Sequence, residues 1–166
     1  NINTPAITLN SVCLASLAAV SDAVRRIERN EGELFIVGGT ESMTNAPHAL
    51  VLRKDIKTGT VNLYDTLNDG LWCSLLDQSM GGLSEKVNRE EQDEDAEISQ
   101  KRAIKAQTSG IFAEEIVGVE VNDQLITEDE CIRPETTLQK LKKLKPAFEA
   151  DGTITAGNAS QMADGA

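Results

Sequence analysis

An α/β fold built around one strand–helix–strand unit is what this sequence predicts, and three observations predict it. Residues 5–10 read as a short strand, and residues 13–29 then set Leu17, Val20, Val24 and Ile27 at helical spacing. Leu34-Phe35-Ile36-Val37 follows as an apolar run of the kind carried by strands buried on both faces. Hydrophobic residues are 40 % of the chain but aromatic ones only 3 %, so the core is one of Leu, Ile, Val and Ala. That suits helices layered on a sheet better than an aromatic-rich all-β sandwich. Strand, helix, strand in this order forms a βαβ unit, whose crossover is right-handed.

The helix over 13–29 carries Ala15, Ala18, Ala19 and Ala23 on its other faces, so neighbours can approach it closely. Asp22, Arg25, Arg26, Glu28 and Arg29 gather at its far end, which predicts a buried start and a wet finish. Asn30-Glu31-Gly32 ends it, and Gly38-Gly39 marks a sharp turn or a close approach after the second strand. Residues 40–88 are mixed and mostly polar, without a clean period. Asn88-Arg89-Glu90-Glu91 has the form of a capping box and opens a helix of about five turns that runs to Gly110. Ile116 to Val121 reads as an edge strand, "DQLITEDE" as a turn with acidic flanks, and Thr137 to Leu144 as a short basic helix. The closing "DGTITAGNASQMADGA" is loop-like. Two strands buried on both faces need neighbours that residues 1–40 do not supply, so those are expected before Asn1, after Ala166 or in a partner.

The totals exclude several functions. A length of 166 residues fits one domain, or a domain with an appended subdomain. A net charge of −11 argues against a nucleic-acid partner, since phosphate contacts need a basic face. No apolar run approaches the roughly 18 residues of a membrane span, and no signal peptide is visible. Cys13, Cys73 and Cys131 are odd in number and widely spaced, which is neither a disulfide framework nor a zinc site. Reduced thiols in a cytoplasm-like compartment are the expected state. The acidic run "REEQDEDAE" reads as an exposed helix face and lacks the spacing of a metal loop, so no metal is expected.

Cys13 is the residue with the most chemistry to offer. At a helix N-terminus, unpaired amides and the helix dipole favour a thiolate, and the same amides can hold a developing oxyanion. The competing reading is a buried structural cysteine acting as a small hydrophobe. "QKLKKLK", near Arg133, concentrates positive charge in an acidic chain, as a phosphate-rich ligand or a solvated helix face would. Gly-Asn-Ala-Ser suits the close passage of a thin ligand arm, or an ordinary loop. His48, the only histidine, reads as a packing or hydrogen-bonding group, Cys73 and Cys131 as inert, and Trp72 as local packing.

Six segments in register carry a resemblance. They are "PAITLNSVCLASLAAV", "VGGTESMTNAPH", "REEQD", "SQKRAIKAQTSGIFAEEIVGVEV", "DECIRPETTLQKLKKLKPAF" and "DGTITAGNASQMADGA". Together they resemble the thiolase family, the acetyl-CoA acetyltransferases and 3-ketoacyl-CoA thiolases, over nearly the whole chain, with a shortening around residues 85–89. The resemblance implies part of a layered α/β domain over 1–45, an inserted α+β loop domain covering CoA over 46–150, and a return segment over 151–166. It implies that Cys13 is the nucleophile, acylated by one thioester before the acyl group passes to CoA or to a second acyl-CoA. Met80 matches a methionine of the acyl pocket, and Arg133 and Leu144 match contacts to the nucleotide end of CoA. Ala147 and Phe148 match pantetheine contacts. Ala156 and Ser160 lie along the same arm, Ser160 bonding near the thioester. CoA thioesters are thereby substrates, no cofactor is permanently held, and the complete protein is a homo-oligomer.

Three positions depart from the family pattern. Leu14-Ala15-Ser16 stands where a small residue, Ser and Gly are usual, Ser79 replaces a histidine, and Asp95 replaces an apolar or aromatic residue. The family's general-base histidine and second cysteine have no match in these residues, so the 166 residues by themselves are expected to be inactive. A non-catalytic acyl-CoA-binding or scaffold module of the same fold is the alternative, and a piece that does not fold alone is a third.

Overall fold

Local signals in the chain carry through to helices and hairpins more fully than to a sheet. The computed structural model describes residues 3–51, 58–85 and 87–166. They fall into two compact units, Asn1–Gly70 with Ala163–Ala166, and Leu71–Met162.

In the first unit a 3₁₀ turn over Val12–Leu14 runs straight into α1, Ala15–Glu28. Its polar end is fixed by Asp22, whose carboxylate accepts from Arg26 Nε at 2.7 Å, while Arg26 Nη1 reaches Glu31 at 3.1 Å. The helix is where its spacing puts it, but the expected burial of its start is corrected. Only Ala23 is buried in α1, and Leu17, Val20, Val24 and Ile27 are exposed. The two flanking strands are corrected as well. No strand forms over 5–10 or 34–37, and Leu34 and Ile36 are 85 % and 97 % exposed. The reason is pairing: a strand exists only in a ladder, and no described residue offers these segments one.

The Gly-Gly turn does make a close approach. A side chain at Gly39 would run into the Ser16 hydroxyl, so the absent Cβ is what admits Ser16. Beyond it, residues 40–44 are tied to the chain end. Glu41 and Gly165 exchange backbone bonds at 2.9 and 3.0 Å. Asp164 accepts from the Thr44 N–H at 2.9 Å and the Ser42 hydroxyl at 3.1 Å. These donors, the Thr44 N–H first, hold the Asp164 carboxyl below its ordinary value. The strands β1 (His48–Ala49) and β2 (Tyr64–Asp65) pair antiparallel, and α2 (Thr66–Gly70) closes the unit. His48 thus serves a hairpin, while residues 52–57 and 86 of the mixed stretch lie outside the described residues.

In the second unit β3 (Trp72–Cys73) and β4 (Gln78–Ser79) form a hairpin whose indole N–H donates to Asp77 at 3.2 Å. Ser79 caps α3 (Met80–Leu83) by accepting from the Gly82 N–H at 3.0 Å. Helix α4 (Arg89–Thr108) begins at the Asn88 cap, which accepts from the Glu90 N–H at 2.9 Å. Gly110, at φ 76°, supplies the left-handed residue just past its end. The edge strand of the sequence is β5 (Val119–Val121), paired with β6 (Gln124–Ile126) across Asn122 and Asp123 at φ 50° and 62°. Two successive positive φ values are those of a type I′ hairpin turn. Helix α5 (Leu138–Leu141) is shorter than expected, and its Leu138 N–H donates to Glu97 of α4 at 3.0 Å.

The acidic run is not an exposed face throughout, which corrects the expectation for Asp93. Asp93 is fully buried, held by Arg89 Nε at 2.9 Å and Asn158 Nδ2 at 2.9 Å. With Thr155, Leu141 and Ile154, also buried, it forms the centre of this unit.

Candidate functional site

Cys13 sits in the middle of the 3₁₀ turn and is exposed, so the buried thiol expected from the apolar helix start is not found within this unit. Its predecessor Val12 has φ 51°, a left-handed conformation that a β-branched residue adopts only under strain. Three bonds hold the turn: Asn10 Oδ1 accepts from the Val12 N–H at 3.0 Å, the Ser11 carbonyl from the Leu14 N–H at 3.0 Å, and the Val12 carbonyl from the Ala15 N–H. The cap position of α1 is Leu14, which has no side-chain acceptor to offer the first amides of the helix. The Ala15 N–H opens α1, so the start of the helix is held by the turn's own backbone, without a side-chain cap. Ser16, the departure after the cysteine, packs its hydroxyl on Gly39.

The remaining predicted residues all belong to the second unit. Met80 opens α3, half-exposed, directly after the Ser79 cap. The adjacent Gly81 lies under the Phe148 ring, which occupies the space a Cβ would fill, so the ring packs on the α3 backbone one residue from Met80. Ser79, in place of the family histidine, spends its hydroxyl on the helix cap. Phe148 follows Ala147, whose N–H donates to the Ile154 carbonyl at 2.8 Å, and Pro146 bridges Thr155.

Arg133, Ala156 and Ser160 line one groove of about 530 Å³ against a face of α4. Gln100 of that face accepts from the Arg133 N–H at 2.8 Å, and Asp95 lines the same groove. Asp95 is thus a surface group beside the groove rather than a faulty core residue. Leu144 and Ala147 do not line it. The Leu144 carbonyl instead accepts from Arg89 Nη2 at 3.3 Å, alongside the Leu141 carbonyl at 2.8 Å.

The floor of the groove was not legible as functional. Asn158 donates to Asp93 at 2.9 Å and to the Thr153 carbonyl at 3.1 Å, and accepts from the Thr155 N–H at 2.7 Å. It orders the Ala156–Ser160 segment from beneath, and an Asn among small loop residues was the available signal. Glu85 is a second omission: its carboxylate accepts from the Thr153 and Ile154 N–H groups. Burial opposes its charge, but the Ile154 and Thr153 donors prevail and hold the carboxyl below its ordinary value. Burial and the neighbouring Asp129 push the Cys131 thiol up, which makes it a poor nucleophile beside an ordinary cysteine. Among the described residues no group of three or more His, Cys, Asp or Glu is placed to hold a metal, and no helix is long and apolar enough to cross a membrane.

Chemically, the first unit offers a thiol on the strained turn that leads into α1. The second offers a groove of amide and hydroxyl side chains with one guanidinium and one carboxylate, and an aromatic ring packed on the Gly81 backbone next to Met80 in sequence. Comparison with known proteins bears on both. The family profile "Thiolase, N-terminal domain" matches residues 1–166. A protein described as a probable acetyl-CoA acetyltransferase of Mycobacterium tuberculosis is 45 % identical over 175 residues, covering 98 % of this chain and 44 % of its own length. The mitochondrial 3-ketoacyl-CoA thiolase of Homo sapiens is 39 % identical over 178 residues, again across 98 % of this chain and 44 % of its own. A crystal structure of human mitochondrial 3-ketoacyl-CoA thiolase in complex with CoA matches with a TM-score of 0.84 at 37 % identity, over 97 % of this chain and 43 % of that one. The Bacillus anthracis acetyl-CoA acetyltransferase structure gives 0.85 at 34 % identity, over 92 % and 41 %. The chain spans less than half the length of these relatives.

Proposed function

The chain belongs to the thiolase family and carries part of its α/β fold, and on that premise we propose that its polypeptide is an acyltransferase working through an acyl-cysteine on Cys13. The reaction is thiolytic cleavage of a 3-ketoacyl-CoA or the reverse condensation. In the cleavage direction the Cys13 thiolate attacks the keto carbonyl, and the oxyanion is met by amide donors at the start of α1. The C–C bond breaks, acetyl-CoA leaves as its carbanion and takes up a proton, and the shortened acyl group stays on Cys13. The thiol of free CoA then attacks the acyl-cysteine, the shortened acyl-CoA departs, and the Cys13 thiolate returns. The histidine and second cysteine that move these protons in the family have no match here, so the cycle needs them from elsewhere in the polypeptide.

The observation that carries this reading is the setting of Cys13, a thiol on a strained turn immediately before a helix whose start has no side-chain cap. For the CoA portion, Arg133, Ala156 and Ser160 are the groove contacts, Met80 lines the acyl pocket, and Ala147, Phe148 and Leu144 contact the pantetheine and nucleotide parts. CoA thioesters are the substrates, with no permanent cofactor, and the assembled enzyme is a homo-oligomer of a cytoplasm-like or mitochondrial compartment. The division into domains over 1–45, 46–150 and 151–166 belongs to the same proposal. Replacing Cys13 by Ser in the native polypeptide abolishes turnover while leaving CoA binding within about twofold. Undiminished turnover in that variant would remove the assignment. Ser79 favours a second reading, since it stands where the family keeps a histidine: a binder of acyl-CoA without catalysis, which retains ligand and never forms an adduct.

A further inference from the structure

We propose that Glu85 is a positioning residue that joins the Met80-bearing helix to the ligand arm over 147–160 and so sets affinity for the acyl-pantetheine end of the substrate. The inference rests on the acyl-CoA reading for its ligand, and on hydrogen bonds within the second unit for its substance. Glu85 follows the Ser84 C-cap of α3, its N–H donating to the Gly82 carbonyl at 3.4 Å. One carboxylate oxygen, Oε2, accepts from the Thr153 N–H, from the Ile154 N–H at 3.0 Å and from the Thr153 hydroxyl at 3.2 Å. The same hydroxyl also donates to the Glu85 carbonyl at 3.2 Å.

From that point the bonds run both ways along the arm. The Ile154 carbonyl takes the Ala147 N–H, which sets the residue before Phe148. Thr155 donates to Asn158, which sets the stretch from Ala156 to Ser160. Phe148 in turn lies on Gly81, one residue from Met80. Glu85 therefore closes a ring of contacts from α3 through the turn at 152–155 to the Phe148 ring and back to α3. The adjacent Thr153 and Ile154 N–H groups need a concentrated acceptor, and an ionised carboxylate is the strongest one available. Its other oxygen, Oε1, is buried with no hydrogen-bond partner of its own, and the Glu149 backbone joins the Ile154 and Thr153 donors in favouring the charged form. A group that fixes ligand contacts without touching ligand acts on binding, and leaves the chemical step at saturation nearly alone.

The test compares wild type, Glu85→Ala and Glu85→Gln in the native polypeptide, using acetyl-CoA as the probe. Two readouts are taken together, steady-state kinetics and backbone hydrogen exchange without ligand. Glu85→Ala is expected to raise KM about tenfold or more with kcat within about threefold, and to speed exchange at 153–161 with α4 unchanged. Glu85→Gln keeps one acceptor oxygen and should fall between, and it carries the comparison if the alanine variant does not accumulate as folded protein. A merely structural role lowers the active fraction, so Vmax falls at unchanged KM and exchange rises in α4 too; that result overturns the inference. Wild type with no turnover and no measurable KM sinks the acyl-CoA reading itself. Exchange then decides alone: faster exchange confined to 153–161 upholds Glu85 as the positioning group, and unchanged exchange overturns it.

Discussion

Arg89→Ala is the substitution that most directly probes the floor of the groove. Arg89 Nε lies 2.9 Å from Asp93, whose side chain is 1 % exposed, while Arg89 itself is 26 % exposed. Nη2 adds bonds to the Leu141 and Leu144 carbonyls, at 2.8 and 3.3 Å. Removing one partner of a buried ion pair costs about 3–5 kcal/mol, because the other charge stays behind uncompensated. Asn158 still donates to Asp93, and Arg89 is partly solvated, so the lower end applies, about 3 kcal/mol for this unit. With two units in the chain a single unfolding midpoint is the wrong observable. Native-state hydrogen exchange along α4 is the better assay, and the loss should appear there as faster exchange on the order of a hundredfold. Pairing Arg89→Met with Asp93→Leu should recover at least half of it, since the stranded charge is gone. A loss under about 0.5 kcal/mol, or one that halves at ~1 M salt, would mean a solvated pair and refute the burial argument.

Two further outcomes follow from the geometry. Gly81→Ala drives a methyl group into the Phe148 ring, so KM for acyl-CoA should rise several-fold, about 3–10 times, with little change in melting behaviour because the ring is half-exposed. Titration kinetics with acetyl-CoA check it, and an unchanged KM would mean that the ring position does not matter to the ligand. Acid should release the Thr40–Thr44 segment through Asp164, whose carboxyl is held below its ordinary value of 3.8 by the Thr44 N–H. The unfolded segment binds more protons than the folded one, so this stability is present above pH 3.8 and fades as pH falls below it. Amide exchange at Thr44 against pH reads it, and Asp164→Asn should abolish the pH dependence.

Local chemistry was readable wherever one segment contains its own reasons. The Leu17–Ile27 spacing gave α1, Asn88 gave the start of α4, and Gly110 its end. The second strand of the β5–β6 hairpin was missed although Asn122-Asp123 is a turn pair that tolerates positive φ. The apolar run at 34–37 misled for a different reason. Periodicity reports what a segment would bury, whereas a strand also needs a neighbour, and no described residue supplies one.

Asp93 and Glu85 show the same limit at the groove. Both look like surface acids in sequence, yet each is defined by partners 65 to 69 positions away. Arg133, Ala156 and Ser160 were singled out through the family resemblance, and they share one groove because Asn158 and Gln100 hold two distant segments against α4.

The central claim is that Cys13 is a nucleophile, and mass spectrometry of the native polypeptide after brief incubation with acetyl-CoA and acid quenching tests it most directly. The account predicts one acetyl group on the peptide containing Cys13, absent from the Cys13→Ser variant and discharged by added CoA. An unmodified Cys13 peptide in protein that demonstrably binds acetyl-CoA would contradict it.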